Sequence, residues 1–211
     1  MKDNPTRIFF VRHGKTSQTG TISYGRTKGI DLNDEGIKQA QSARDYLSSM
    51  DIEAVISSPL ERAFQTAQII CEKHDIKVLT NNKFLETDCG DWTGRKLKDL
   101  RKEKQWPMVV GRPSQFKFEN GESFQDIFVR MNDGVNKLIE KYAGKNIVIV
   151  SHRDPLIVLL SHYLGMHMDN CQRIPCSPAS VSIVEYGYTG ANVQSIGIIA
   201  PVEFEGKNGK N

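Results

Sequence analysis

Hydrophobic positions along this 211-residue chain follow two patterns that alternate. Unbroken apolar runs at Ile8-Phe9-Phe10-Val11, Ala54-Val55-Ile56 and Ile147 to Val150 read as buried strands. Between them the spacing is that of amphipathic helices. With Asn33 as N-cap, Ile37, Ala40, Ala43, Leu47 and Met50 share one face. Ser58-Pro59-Leu60-Glu61 offers a serine N-cap, a proline at the first helical position and a glutamate at the third, which predicts a capped helix start. A third strand is expected over Lys77 to Leu79. Helical spacing returns in Phe124, Ile127, Phe128, Met131, Val135, Leu138, Ile139 and Tyr142 and stops at Gly144. Asp154-Pro155 starts another helix, with Leu156, Leu159, Leu160 and Tyr163 inward and Gly165 at its end. Two closing strands, near Ser180 to Tyr186 and Val193 to Ile199, read as a hairpin.

Alternating strands and helices predict an α/β fold, a three-layer sandwich with a mostly parallel central sheet flanked by helices. Residues 81–120 lose periodicity while collecting Gly, Pro, Trp and charge, and are expected to form a lid insertion. One domain over residues 1–204 should account for the chain, followed by a polar tail at 205–211.

Composition narrows the function classes. Charged residues make up 25% and hydrophobic ones 38%, the balance of an ordinary soluble domain. The longest apolar run, Leu156 to Leu160, is far short of the roughly 20 residues a membrane helix needs, so no membrane role is expected. A net charge of +3, from 28 basic against 25 acidic residues, does not provide the broad positive surface of a nucleic-acid binder. Cysteines at 71, 89, 171 and 176 contain no C-x-x-C pair, and no signal peptide precedes them, so reduced thiols and a cytoplasmic location are expected. A local bridge from Cys171 to Cys176 is conceivable. No Cys/His spacing matches a zinc site.

Three of the predicted strands run directly into polar or cationic residues: Arg12-His13-Gly14, Ser57-Ser58 with Arg62, and Ser151-His152-Arg153. In an open α/β sheet, ligands bind outside the carboxyl ends of the strands. Parallel strands would bring two histidines and two or three arginines together there, a set suited to a phosphoryl group. Each residue alone has a structural reading: a satisfied strand-end histidine, or a solvated arginine in a first helical turn. Arg62 also opposes its helix macrodipole unless an anion compensates it.

These residues resemble the histidine phosphatase superfamily, the phosphoglycerate mutase-like family. The similarity spans about residues 7 to 200 and rests on five ordered segments. They are Val11-Arg12-His13-Gly14 with Lys15-Thr16; Ser57 to Ala63 with Thr66; Leu85-Glu86 with Gly90, Trp92 and Gly94; Asn120-Gly121-Glu122-Ser123 with Arg130; and Ser151-His152. The resemblance implies that His13 is the nucleophile that becomes phosphorylated, that Arg12, Arg62 and His152 hold the phosphoryl oxygens, and that Glu86 is the proton donor. It implies no cofactor and no metal, since arginine and histidine supply the positive charge. Trp92 reads equally as lid core or substrate wall.

The chain departs from the family pattern at Lys15, Thr19 and Arg153, all expected near the mouth of the site. Thr19, Gly25, Gly29 and Arg153 are the candidate substrate-binding residues. Which glycine of the loop from Ser17 to Asp31 faces the phosphate stays open, and Arg153 serves either an extra anion contact or an ion pair with Asp154. The expected activity is a metal-independent phosphatase acting on a small phosphorylated metabolite through a phosphohistidine. The alternatives are a cofactor-dependent phosphoglycerate mutase and, in another class, a non-catalytic phosphate-binding regulatory module. Pairing through the closing strands would make a homodimer.

Overall fold

A computed structural model describes residues 4–201, so the tail expected at 205–211 lies outside the described residues. The elements run β1 (Thr6–Arg12), α1 (Asp34–Leu47), β2 (Ile52–Ser57), α2 (Glu61–Cys71), β3 (Val78–Thr80), α3 (Leu97–Leu100), α4 (Trp106–Gly111), α5 (Phe124–Lys141), β4 (Asn146–Ser151), α6 (Arg153–Tyr163), β5 (Val181–Gly187) and β6 (Gly190–Ile198). All three open-sheet strands read from apolar runs are present, each extended by a residue or two.

The six strands form one sheet in the order β3-β2-β4-β1-β5-β6. β1 to β4 pair in parallel, and β5 and β6 add an antiparallel hairpin at one edge. Alternation along β1 divides the core into two layers. Ile8 and Phe10 join Ile56, Ile147 and Ile149 under α5 and α6, whereas Phe9 and Val11 join Val55, Val148 and Val150 under α1 and α2. This is the expected α/β sandwich, with the central strands β1, β2 and β4 buried on both faces.

Three helix starts show how the sequence sets the frame. Asn33 caps α1, accepting from the Gly36 N–H at 2.8 Å. Ile37 falls at the exposed edge of that helix, and Gly36 takes the buried place. Ser123 and Asp126 close a reciprocal capping box at the start of α5. The box expected at Ser58 does not form. α2 begins at Glu61 with Leu60 as N-cap and no side-chain cap, while the Ser58 hydroxyl accepts from the Leu60 N–H at 3.4 Å and lies 2.8 Å from His152 Nε2.

Residues 81–120 are ordered by an aromatic cluster rather than by periodic helices. Trp92 stacks on Trp106 with ring centroids 6.2 Å apart and meets Phe116 and Phe118 at 5.8 and 5.5 Å. Phe118 packs on Phe124 of α5, so this cluster is continuous with the main core. Trp92 is therefore buried in the core of this segment. All four cysteines are free thiols, with no bridge between Cys171 and Cys176. Among the described residues, no helix is long and apolar enough to cross a membrane.

Candidate active site

Parallel pairing places the carboxyl ends of β1, β2 and β4 side by side, and each delivers a site residue. His13 follows β1, Ser58 follows β2 and His152 follows β4. The two imidazole rings lie 5.1 Å apart in an edge-on arrangement, and both are fully buried. Burial, then the charges of Arg12 and Arg62, hold His13 well below the usual histidine range, with a hydrogen bond to Gly14 opposing. Burial followed by the charges of Arg62, His13, Arg130 and Arg12 does the same to His152. Both rings are neutral at pH 7.

The His13 tautomer follows from its partner. Nδ1 lies 2.7 Å from the Gly14 carbonyl oxygen, which can only accept, so Nδ1 carries the proton and Nε2 keeps the lone pair. Gly14 itself is fixed through its N–H, which donates to Thr66 Oγ1 at 3.0 Å, while that hydroxyl donates to the Arg62 carbonyl. A Cβ on Gly14 would meet the Gly36 carbonyl oxygen at 2.5 Å. Glycine is thus required by the close approach of α1.

Arg62 stands in the first turn of α2 and is fully buried, which overturns the solvated reading. Its guanidinium lies 4.6 Å above the Tyr24 ring and donates to the carbonyls of Gly25 and Thr27 at 2.8 and 3.3 Å. Its Nε has no protein partner, nor do Arg12 Nε and His152 Nδ1, and all three atoms are buried. Arg12 is held through Nη1, which donates to the Cys176 carbonyl at 2.7 Å. Buried donors left unpaired at the carboxyl end of the sheet are costly unless an anion meets them.

Glu86 faces the pair from the 81–120 segment, with Oε2 3.8 Å from His152 Nδ1. Oε1 accepts from the Thr87 N–H at 2.8 Å. Burial raises its pKa to about 7, helped by the charge of Asp154 and opposed by Arg62, the Thr87 N–H and Arg12. His13, Glu86 and His152 each offer a ligand atom within 4.8 Å of one another, so the three could hold a metal ion, a grouping that sequence spacing did not reveal. The guanidinium charges acting on the same two imidazoles disfavour a cation and favour an anion.

The candidate substrate residues are distributed less tightly. Gly25 is buried, has φ +46° and turns its carbonyl to Arg62. Gly29 is exposed, and a Cβ there would meet open space. The Thr19 hydroxyl binds the backbone and side chain of Thr16. Arg153 pairs with Asp154 at 2.8 Å, and Lys15 with Glu35 at 2.6 Å. Tyr24 and Arg26 went unremarked in the sequence because their loop has no period. Arg130, with spacing eight from Glu122, carried a signal only through the resemblance.

A neutral imidazole with a free lone pair, cationic neighbours and a carboxyl that keeps its proton near neutral pH together make a site equipped to receive a phosphoryl group. Sequence comparison agrees: residues 8–199 match the histidine phosphatase superfamily (branch 1), and the chain belongs to that family. It is 30% identical over 197 residues to the bifunctional protein Rv2228c of Mycobacterium tuberculosis, covering 90% of this chain and 53% of that protein. The chain thus spans about half the length of that relative. Phosphoserine phosphatase 1 of Hydrogenobacter thermophilus is 25% identical over 183 residues, covering 84% of this chain and 85% of the relative. Among solved structures, Bacillus stearothermophilus YhfR superposes with a TM-score of 0.87 over 94% of this chain and 100% of that one, at 23% identity, a likeness of fold.

Proposed function

We propose that the protein is a phosphatase that hydrolyses phosphomonoesters of small metabolites without a metal ion, through a phosphohistidine formed on His13. The observation that carries this reading is the pairing of a neutral His13, its Nε2 free to attack, with a Glu86 carboxyl whose proton is retained to about pH 7. In the first step His13 Nε2 forms a bond to phosphorus as the ester P–O bond breaks, and Glu86 gives its proton to the departing alkoxide. In the second, water attacks phosphorus, Glu86 takes the water proton, and the P–N electron pair returns to His13. Arg12, Arg62 and His152 Nδ1 meet the phosphoryl oxygens. Residues 1–204 act as one catalytic domain, with 81–120 as its lid carrying the acid.

A panel of phosphorylated metabolites, assayed for released phosphate with and without a chelator, tests the proposal. Release from at least one small phosphomonoester, unaffected by chelator and needing no bisphosphorylated primer, is expected. Primer-dependent isomerisation with negligible phosphate release would assign the site to a mutase, and activity lost to a chelator and restored by a divalent ion would refute the metal-free reading.

A further inference from the structure

Around Glu86 lies an ionic cluster that the two chemical steps do not use. Glu122, immediately before the N-cap of α5, accepts from both Arg26 Nη2 at 2.6 Å and Arg130 Nε at 2.9 Å through Oε1. Its Oε2 accepts from Arg130 Nη2 and from the Asp88 N–H, each at 3.1 Å. Glu122 and Arg130 therefore form a two-pronged pair, with side chains only 17% and 12% exposed, unlike the solvated surface pairs that contribute little.

Both arginines turn a second donor to one backbone atom. Arg26 Nε and Arg130 Nη2 reach the Glu86 carbonyl oxygen at 2.9 and 3.2 Å. Arg130 Nη1 also holds the Lys83 carbonyl at 2.8 Å. Residues 83, 86 and 88 are thus fastened to a single ionic centre, and the acid sits at the middle of the three. Arg26 comes from the mouth loop and Arg130 from α5, so two separate parts of the fold converge on the acid's backbone.

We propose that Glu122 is a positioning residue for Glu86: by aligning Arg26 and Arg130 on the Glu86 carbonyl, it holds the acid within proton-transfer reach of the leaving oxygen. This rests on the phosphatase reading above. Glu122 touches no reacting atom and acts through the two arginines and its own hold on the Asp88 N–H. A displacement on the order of 1 Å at a catalytic group costs up to about 10²-fold in rate. That cost falls only on substrates that need the proton.

The test is a double-mutant cycle on two substrates, an alkyl phosphate from the panel that the wild type hydrolyses and p-nitrophenyl phosphate, whose leaving group needs little protonation. Glu122→Gln should lower kcat on the alkyl phosphate by roughly 10- to 100-fold with KM little changed, and lower kcat on p-nitrophenyl phosphate by less than about 3-fold. In a Glu86→Gln background, Glu122→Gln should cause no further loss. Arg26→Gln leaves the Glu122–Arg130 pair in place and should show the same split in smaller measure, which keeps the test available if Glu122→Gln folds poorly. Equal losses on both substrates, additive losses in the Glu86→Gln background, or no loss at all would overturn the positioning role and leave the phosphatase reading intact. A wild type that releases phosphate from neither substrate would overturn both.

Discussion

The hydroxyl of Ser58 lies 2.8 Å from His152 Nε2, joining the end of β2 to the end of β4 through two fully buried side chains. His152 Nδ1, the other ring nitrogen, has no protein partner and faces Glu86. When Ser58 donates to Nε2, Nδ1 carries the proton and can bind a phosphoryl oxygen. A Ser58 hydroxyl donating to Nε2 would set this tautomer of His152.

Ser58→Ala should consequently lower phosphate release by at least 10-fold while leaving the fold intact. The lost hydrogen bond orphans a buried ring nitrogen and costs about 1–3 kcal/mol. Denaturant titration beside steady-state assays separates the two effects; full activity in the variant would show that the tautomer is set elsewhere.

Substituting Arg62 should damage stability as well as chemistry. Arg62 is the largest fully buried side chain, and Arg62→Ala strips Gly25 and Thr27 of a donor and Tyr24 of its cation. A loss on the order of 2 kcal/mol or more is expected. Inorganic phosphate should raise the wild-type melting temperature and fail to raise that of the variant. Equal shifts in both would place the anion elsewhere.

Trapping the intermediate distinguishes the nucleophile from the acid. His13→Ala should form no acid-labile phosphoenzyme. Glu86→Gln should phosphorylate roughly 10²- to 10⁴-fold more slowly with alkyl phosphates, and with p-nitrophenyl phosphate it should be less impaired. A His13→Ala enzyme as active as wild type would refute the assignment.

Glu86 also gives a pH signature with a definite sign. Its folded value of about 7 exceeds the ordinary 4.5, so between these values the folded chain holds a proton that the unfolded chain has released. Stability from this group is present below about 4.5, declines as pH rises towards 7 and is lost above it. Glu86→Gln should therefore gain melting temperature relative to wild type between pH 5 and pH 8. Wild-type turnover of an alkyl phosphate should fall as pH rises through about 7, and the variant should lack that limb. A constant difference in melting temperature would show that Glu86 is not titrating in this range.

Much of this arrangement was legible in the residues, for identifiable reasons. Apolar runs such as Ile147 to Val150 announced buried parallel strands, and strand ends carrying His13, Ser58 and His152 announced where these side chains converge. Ser58 itself was misread: Ser-Pro-Leu-Glu satisfies every local rule for a helix cap, yet the helix starts at Glu61 and the Ser58 hydroxyl meets His152 from a distant strand end. The solvated alternative for Arg62 stood open in the sequence because its burial depends on Tyr24 and Gly25, from a loop without periodicity. The His13, Glu86 and His152 group as a whole was named through the resemblance alone, since separations of 73 and 66 positions of chain leave no spacing signal.

Strand order has a further consequence, for the way the chain is made. β4 lies between β1 and β2, so the strands bearing His13 and Ser58 never pair with each other. A ribosome that has delivered residues through 145 has supplied His13, Arg62, Glu86 and Glu122, yet not the strand that joins them. Until Asn146–Ser151 arrives, β1 and β2 present apolar edges with no partner between them, the kind of surface that attracts other chains. Insertion of β4 covers the two edges that face it and brings His152 to His13 in one event, leaving the far edge of β1 exposed until β5 follows.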